Sequence, residues 1–370
     1  MVHLKSLFHE KRMSEIEDHC RKTFKEYGVS SILWNVTYQC DLKCWHCYVG
    51  DAKNTEIELN ADQAQALVSR IGDMGIPLLF MTGGEPLLRK DIFDIIGSCK
   101  DRGITSVLSS NGLLINKETA RKLSRHNIHY IAVSVYGPAT AHDDVVGLSG
   151  SYAKLMENVK SCIDEGINVC FKTVVSNYTY ENIPYMVEKG LELGVKSFYL
   201  CDLIETGHAK GAGSWRISKP QWLKLADYLF EKVVCNSEAE ADLGACPSLA
   251  PLAIEYFRNK NGDVDHALQR LESLSACPIG KGPLGISARG DVLPCIFMQG
   301  FSVGSVLKDD LRTIAFHPTL QSIANKNNLK GSCGVCRYKN HCGGCRAKAY
   351  FSDGDIYGED TTCLIEQPSK

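Results

Sequence analysis

The chain has 370 residues, a formal net charge of −2 and 17 cysteines. That length accommodates one large domain and a smaller one, and the near-neutral charge gives no global field that would favour nucleic acid or a membrane surface as partner. No apolar stretch approaches about 20 residues and the opening MVHLKSLFHEKRMSEIEDHC is too polar for a secretory signal, so a cytoplasmic location is expected. In a reducing compartment so many cysteines read as metal ligands and not as a disulfide scaffold.

In chain order, a polar stretch over 1–30 precedes the first strand-like run, SILWNVT (31–37). Some thirty residues are too few for an N-terminal recognition domain. Further apolar runs follow at 77–83, 105–110, 130–137, 168–175 and 197–204. Amphipathic segments such as ADQAQALVSRIGDMG and SYAKLMENVKSCIDEG lie between them, several ending in Gly, the usual residue just past a helix. Strand–helix alternation predicts an α/β fold with a parallel sheet and right-handed crossovers. Six such units are two short of a full barrel. The expected division is an extension over 1–30, a barrel-like domain over 31–215, a helical connector over 216–275 and a cysteine-rich domain over 276–370.

The loop after the first strand carries Cys40, Cys44 and Cys47 in C-x3-C-x2-C spacing, with Tyr48 directly after. Three thiolates on one loop suit three irons of a [4Fe–4S] cube and leave the fourth open to a ligand. Zinc is the alternative, but it takes four ligands, often as two C-x2-C pairs, and no second pair lies nearby. The second strand runs into Thr82-Gly83-Gly84-Glu85-Pro86. Two glycines there predict a close backbone approach to a ligand, and Glu85 supplies a carboxylate for a cationic group.

Together the triad and the GGEP loop resemble the radical S-adenosylmethionine (SAM) superfamily. That resemblance implies a partial (β/α)6 barrel and a [4Fe–4S] cluster on Cys40, Cys44 and Cys47 that binds and cleaves SAM. It also implies an electron donor such as ferredoxin or flavodoxin. By the same resemblance Tyr48, Gly83, Gly84 and Glu85 face SAM, with Glu85 on its amino group. Ser134 and Lys172, at the ends of the fourth and fifth strands, would meet its ribose and carboxylate. Their bland alternative is a polar strand end satisfying nearby backbone. His208 and Lys210, in the Gly-rich stretch 205–215, read as solvated loop residues or as contacts to an acidic substrate.

The C-terminal hundred residues hold Cys277, Cys295 in a G-x4-C, the pairs Cys333/Cys336 and Cys342/Cys345, and Cys363. A small loop-rich domain of this kind draws folding energy from metal ligation, and a paired zinc ribbon is one reading. The order of cysteines resembles the SPASM extension of radical SAM enzymes, with x2 in place of x3 before Cys345. This implies one auxiliary [4Fe–4S] cluster on Cys333, Cys336, Cys342 and Cys363. A second would lie on Cys277, Cys295 and Cys345, with Pro283 about where some members have a fourth cysteine. Cys20, Cys99, Cys162, Cys170, Cys201 and Cys235 read as small apolar packing residues, and Cys246 has no assigned place.

The segments ILWNVTYQCDLKCWHCY, PLLFMTGGEPLLRKDIF and CGVCRYKNHCGGCRAKAY resemble enzymes that trim tetrapyrroles on haem and d1-haem routes. The opening MVHLKSLFHE and the strand-one motif look nearest to the group that deacetylates 12,18-didecarboxysiroheme. A tetrapyrrole is a flat polycarboxylate, so its pocket should combine apolar walls with a few cations. Arg89, Lys172, Lys210 and Arg216 are the candidates. A peptide maturase and a non-catalytic iron–sulfur or zinc protein are the other readings.

Overall fold

The structure is a computed structural model and describes residues 2–9, 14–50 and 57–365. Its strands are β1 (Val2–His3), β2 (Ser31–Thr37), β3 (Leu78–Gly83), β4 (Thr105–Ser110), β5 (Tyr130–Ser134), β6 (Asn168–Val175), β7 (Ser197–Asp202), β8 (Glu240–Gly244), β9 (Pro283–Ile286), β10 (Asp291–Leu293) and β11 (Gly304–Ser305). Among the described residues they form one sheet in the order β1-β8-β7-β6-β5-β4-β3-β2-β9-β10-β11. Six of the strands, β2 to β7, are the six apolar runs read from the sequence, each paired in parallel with the next. The fourth and sixth stop short of the expected 137 and 204.

Three additions were not foreseen. The stretch 216–275, expected to be helical, carries helices at Lys219–Leu229 and Leu249–Asn259 but also β8, which pairs in parallel with β7. The N-terminal extension supplies β1, antiparallel to β8. On the other flank β9, from the cysteine-rich region, pairs in parallel with β2 and opens the antiparallel β9–β10–β11 ribbon. The sheet is therefore wider than six strands, and the cysteine-rich region is joined to it by backbone hydrogen bonds.

Strand periodicity decides what faces inward, because successive side chains point to opposite sides. Ile32, Trp34 and Val36 of β2 are fully buried beneath the helices, as are Leu79 and Met81 of β3. The intervening Leu33, Phe80 and Thr82 face the concave side. The same alternation puts Ser109, Ser134, Lys172 and Tyr199 on that side. The helices that cover the outer face start at good caps: Asn60 and Ser218 each form a reciprocal capping box. The loops at the C-terminal ends of the strands thus gather over one hollow.

Candidate functional site

That hollow is a cavity of about 250 Å³ with mainly apolar walls. Cys40, Cys44 and Cys47 line it together with Tyr48, Gly83, Gly84, Ser134 and Lys172. Seven of these eight come from just two loops and the ends of β3 and β5, and Lys172 stands directly beside Ser134 in the β5–β6 register. Three thiols facing one cavity are a donor set suited to three irons of a cube. No disulfide joins any of the cysteines.

The GGEP loop packs against the stem of the cysteine loop. Gly84 N–H donates to Thr37 O at 2.9 Å and Glu85 N–H to Gln39 O at 2.7 Å. A Cβ on Gly83 would lie 2.1 Å from Thr37 O, and one on Gly84 2.1 Å from Gln39 O. The glycines are therefore required by the stem of the cysteine loop, whatever else they meet. Glu85 is fully buried and is not part of the cavity wall. Its carboxylate accepts from Asn111 N–H at 2.7 Å, Leu87 N–H at 3.1 Å and Ser110 Oγ at 2.9 Å. Burial pushes its pKa up to about 7, against the pull of these donors. Asn111 then donates through Nδ2 to Asp41 at 2.6 Å, next to Cys40. Glu85 thus ties the β3 and β4 loops to the cysteine loop.

Lys172 donates to Ser109 Oγ, and burial lowers its pKa while Glu85 and nearby thiols oppose the shift. Tyr48 Oη donates to Asn35 at 2.7 Å, and its ring meets Phe297 edge-on at 5.2 Å. Phe297 and Ile296 follow Cys295 and close the cavity from the cysteine-rich side. His46, between the triad cysteines, shares a 2.9 Å hydrogen bond with Tyr136 Oη; burial pushes its pKa down to about 3.

The other proposed cations fare less well. Arg89 donates to Val36 O at 2.7 Å and to Asp91 at 2.9 Å, away from the cavity, so its role is structural. Arg216 is paired with Glu205 at 3.0 Å and Lys210 is exposed; neither lines the cavity. His208 docks the 205–215 loop on the cysteine loop, its N–H donating to Cys47 O at 2.9 Å. The sequence reading missed Asp202 and Asp242, buried carboxylates in the cavity wall. It also placed Cys170 and Cys201 as packing residues, whereas both line the cavity, with burial pushing each thiol up to about 12. Counting two residues back from Lys172 along β6 reaches Cys170, so the strand period held that signal.

In the cysteine-rich region Cys333, Cys336, Cys342 and Cys363 surround one small cavity. Three of these sulfurs already accept backbone N–H groups: Cys333 from Asp360 at 3.3 Å, Cys336 from Tyr338 at 3.4 Å and Cys342 from Gly344 at 3.4 Å. Such N–H···S contacts are among the devices that tune iron–sulfur clusters. Cys277, Cys295 and Cys345 form a second group, packed with Ile204, Ile279 and Met298. Cys246 is instead buried in the main core.

Comparison with known proteins gives the family. Residues 34–189 match the radical SAM superfamily and residues 277–343 an iron–sulfur cluster-binding domain of the SPASM type. The chain is a radical SAM enzyme with a SPASM extension. The radical SAM domain binds a [4Fe–4S] cluster and SAM, and the SPASM domain binds auxiliary iron–sulfur clusters. The match to the second domain stops short of Cys345 and Cys363, which the fold brings back to the others. The enzyme is 27% identical over 343 residues to the AdoMet-dependent heme synthase of Methanosarcina barkeri, covering 92% of this chain and 97% of that one. It is 28% identical to the pre-heme d1 synthase of Dinoroseobacter shibae, over 90% of this chain and 86% of that one. The Fe-coproporphyrin III synthase of M. barkeri is 25% identical, over 90% and 87%. In fold the enzyme is similar to Streptococcus suis SuiB bound to S-adenosylmethionine, with a TM-score of 0.70 at 19% identity, over 94% of this chain and 81% of that one. Among the described residues no helix is long and apolar enough to cross a membrane.

Proposed function

We propose that this radical SAM enzyme acts in haem biosynthesis and trims the side chains of a tetrapyrrole. Its substrate is 12,18-didecarboxysiroheme, which loses its acetate side chains and keeps its methyls, giving Fe-coproporphyrin III. The observation that carries the reading is likeness over nine-tenths of the chain to three proteins named for tetrapyrrole synthesis. The cavity supports it with apolar walls and, among the described residues, a single lysine, Lys172. Beside the cavity Trp45, Tyr178 and Trp215 form an aromatic cluster with centroids 4.7–5.9 Å apart, and Tyr178 is exposed. Aromatic faces of this kind suit a flat macrocycle.

In this reading Cys40, Cys44 and Cys47 hold the SAM cluster. When bound and reduced by a donor such as ferredoxin or flavodoxin, it supplies the electron that cleaves SAM to a hydrogen-abstracting 5′-deoxyadenosyl radical. The protein's own residues orient and shelter. Gly83, Gly84, Tyr48, Ser134 and Lys172 position SAM, with Lys172 opposite its carboxylate. Ile296 and Phe297 exclude water over the reacting atoms. The four cysteines 333, 336, 342 and 363 hold one auxiliary cluster, and 277, 295 and 345 hold the other.

The test is anaerobic incubation of reconstituted enzyme with SAM, a reductant and 12,18-didecarboxysiroheme, read by mass spectrometry. The expected products are 5′-deoxyadenosine and a tetrapyrrole short of its acetates. Turnover indifferent to every tetrapyrrole defeats the proposal. Replacing Cys40, Cys44 and Cys47 with Ala should abolish SAM cleavage and leave iron in the C-terminal region. A second reading is oxidative decarboxylation of propionates on Fe-coproporphyrin III. Its support is the likeness to a protein named heme synthase across nearly the whole of both chains. A response to Fe-coproporphyrin III alone would select it.

A further inference from the structure

Lys326 opens the short turn Lys326–Asn328, outside every motif read from the sequence. It is 6% exposed, and its Nζ has no hydrogen-bond partner. A buried ammonium without a partner costs several kcal/mol, so its surroundings must supply an anion. Those surroundings are the turn Cys342-Gly343-Gly344-Cys345. A Cβ on Gly343 would lie 2.6 Å from Lys326 Nζ, and one on Gly344 2.8 Å from Cys333 Sγ and 2.5 Å from Arg346 Nη2. Both glycines have positive φ, 76° and 63°. The turn is thus stripped of side chains where two cations crowd it, and one of them, Arg346, donates to Cys333 Sγ at 3.6 Å.

The ends of this turn belong to different cysteine sets, Cys342 to one and Cys345 to the other. Burial is the largest influence on Lys326 and lowers its pKa; the thiols of Cys277, Cys342 and Cys333 oppose it, and Arg346 reinforces it. Cys277 is again in one set and Cys342 and Cys333 in the other. In space the ammonium lies over Gly343, in the turn that joins Cys342 of one set to Cys345 of the other.

We infer that Lys326 is the buried counter-cation shared by the two auxiliary cysteine sets, holding its ammonium toward their thiolates and raising the reduction potential of the clusters bound there. The inference goes beyond the tetrapyrrole reading and rests only on the ligand sets proposed above. A thiolate-ligated cluster becomes more negative on reduction, so a fixed positive charge in a low-dielectric site favours the reduced state. Arg346 serves the first set: its Nη1 donates to Ile356 O at 3.0 Å and Gly358 O at 2.6 Å, and its Nη2 to Cys333 Sγ at 3.6 Å.

The experiment uses the full chain, reconstituted anaerobically, with Cys40, Cys44 and Cys47 replaced by Ala so that only auxiliary signals remain. Iron and sulfide are counted, and the clusters are titrated electrochemically with electron paramagnetic resonance detection. Lys326→Met should keep its iron and move the midpoint to more negative potential, and Lys326→Arg should stay closer to the parent. An unchanged midpoint in Lys326→Met overturns the inference. If Lys326→Met and Lys326→Gln both lose auxiliary iron while Lys326→Arg keeps it, the requirement for a cation is upheld at assembly. If Lys326→Arg loses it too, the lysine is a packing residue and the inference falls. Absence of iron from the parent itself overturns the ligand sets, and the inference with them, but leaves the tetrapyrrole reading intact.

Discussion

Lys348 and Asp202 form an ion pair in which neither side chain meets solvent, exposed by 0% and 2%. Asp202 is the last residue of β7 and lines the cavity; Lys348 lies on the helix that begins directly after Cys345. Both ends are further satisfied. Asp202 accepts from Leu203 N–H at 2.9 Å, and Lys348 donates to Thr362 Oγ1 at 2.8 Å. One buried pair thus fixes the helix after Cys345 against the wall of the cavity.

Removing one partner leaves the other charged and stranded, which costs about 3–5 kcal/mol. Lys348→Met should therefore lower unfolding stability by that order. Lys348→Met combined with Asp202→Asn should cost less than the two single replacements added together. Denaturant unfolding of the three variants checks this, and strict additivity would show that the two side chains do not depend on each other.

Glu85→Ala is expected to act through the loops. It leaves the Ser110 hydroxyl and the Asn111 and Leu87 amides without their acceptor. Each buried donor so orphaned costs about 1–3 kcal/mol. The variant should be less stable and should bind SAM more weakly, because Ser110 and Asn111 line the cavity. Thermal unfolding and equilibrium SAM binding should fall together. Weaker SAM binding at full stability would return Glu85 to the direct role read from the motif.

The N-terminal strand brings a pH dependence. His3 Nδ1 lies 2.5 Å from Asp242 Oδ1, and the carboxylate raises the imidazole from 6.5 to about 9. A raised pKa means the folded form holds its proton longer. The stabilisation is present in full below pH 6.5 and is lost as pH rises through about 9. His3 is 41% exposed, so solvent screening keeps the effect small. The unfolding midpoint of the parent should fall relative to His3→Gln across that window, and parallel curves would show that the pair contributes nothing.

Most of this architecture is local in origin, which is why the sequence revealed it. Strands such as β2 and β6 are apolar runs bounded by turns, and the cysteine spacings are short. The strand β8 escaped because EADLG is short and carries two acids, so it lacks an apolar run. Its place comes from pairing with β7 and with Val2–His3, more than 200 residues away in the latter case. Asp202 with Lys348, and Lys326 against Gly343, are likewise long-range, and no spacing rule connects them. Arg89 looked like a substrate cation because charge is visible in a sequence; that Val36 O and Asp91 already hold it is not.

Lys172 carries the last prediction. Among the described residues it is the one lysine in the cavity wall, beside Ser134 in register and bonded to the neutral hydroxyl of Ser109. A cation so placed is available to an anionic ligand group. Truncating one partner of a buried, hydrogen-bonded charge pair costs about 2–5 kcal/mol, and tenfold in affinity is about 1.4 kcal/mol. Lys172→Met should therefore weaken SAM binding by at least about tenfold, while iron on the triad stays unchanged. Lys172→Arg keeps the charge and should recover part of the loss. Equilibrium binding of SAM to the reconstituted variants is the measurement. If SAM affinity were intact but binding of 12,18-didecarboxysiroheme fell, the lysine would belong to the tetrapyrrole carboxylates instead. If neither ligand responded, Lys172 would be a strand residue paired with Ser109 and no more.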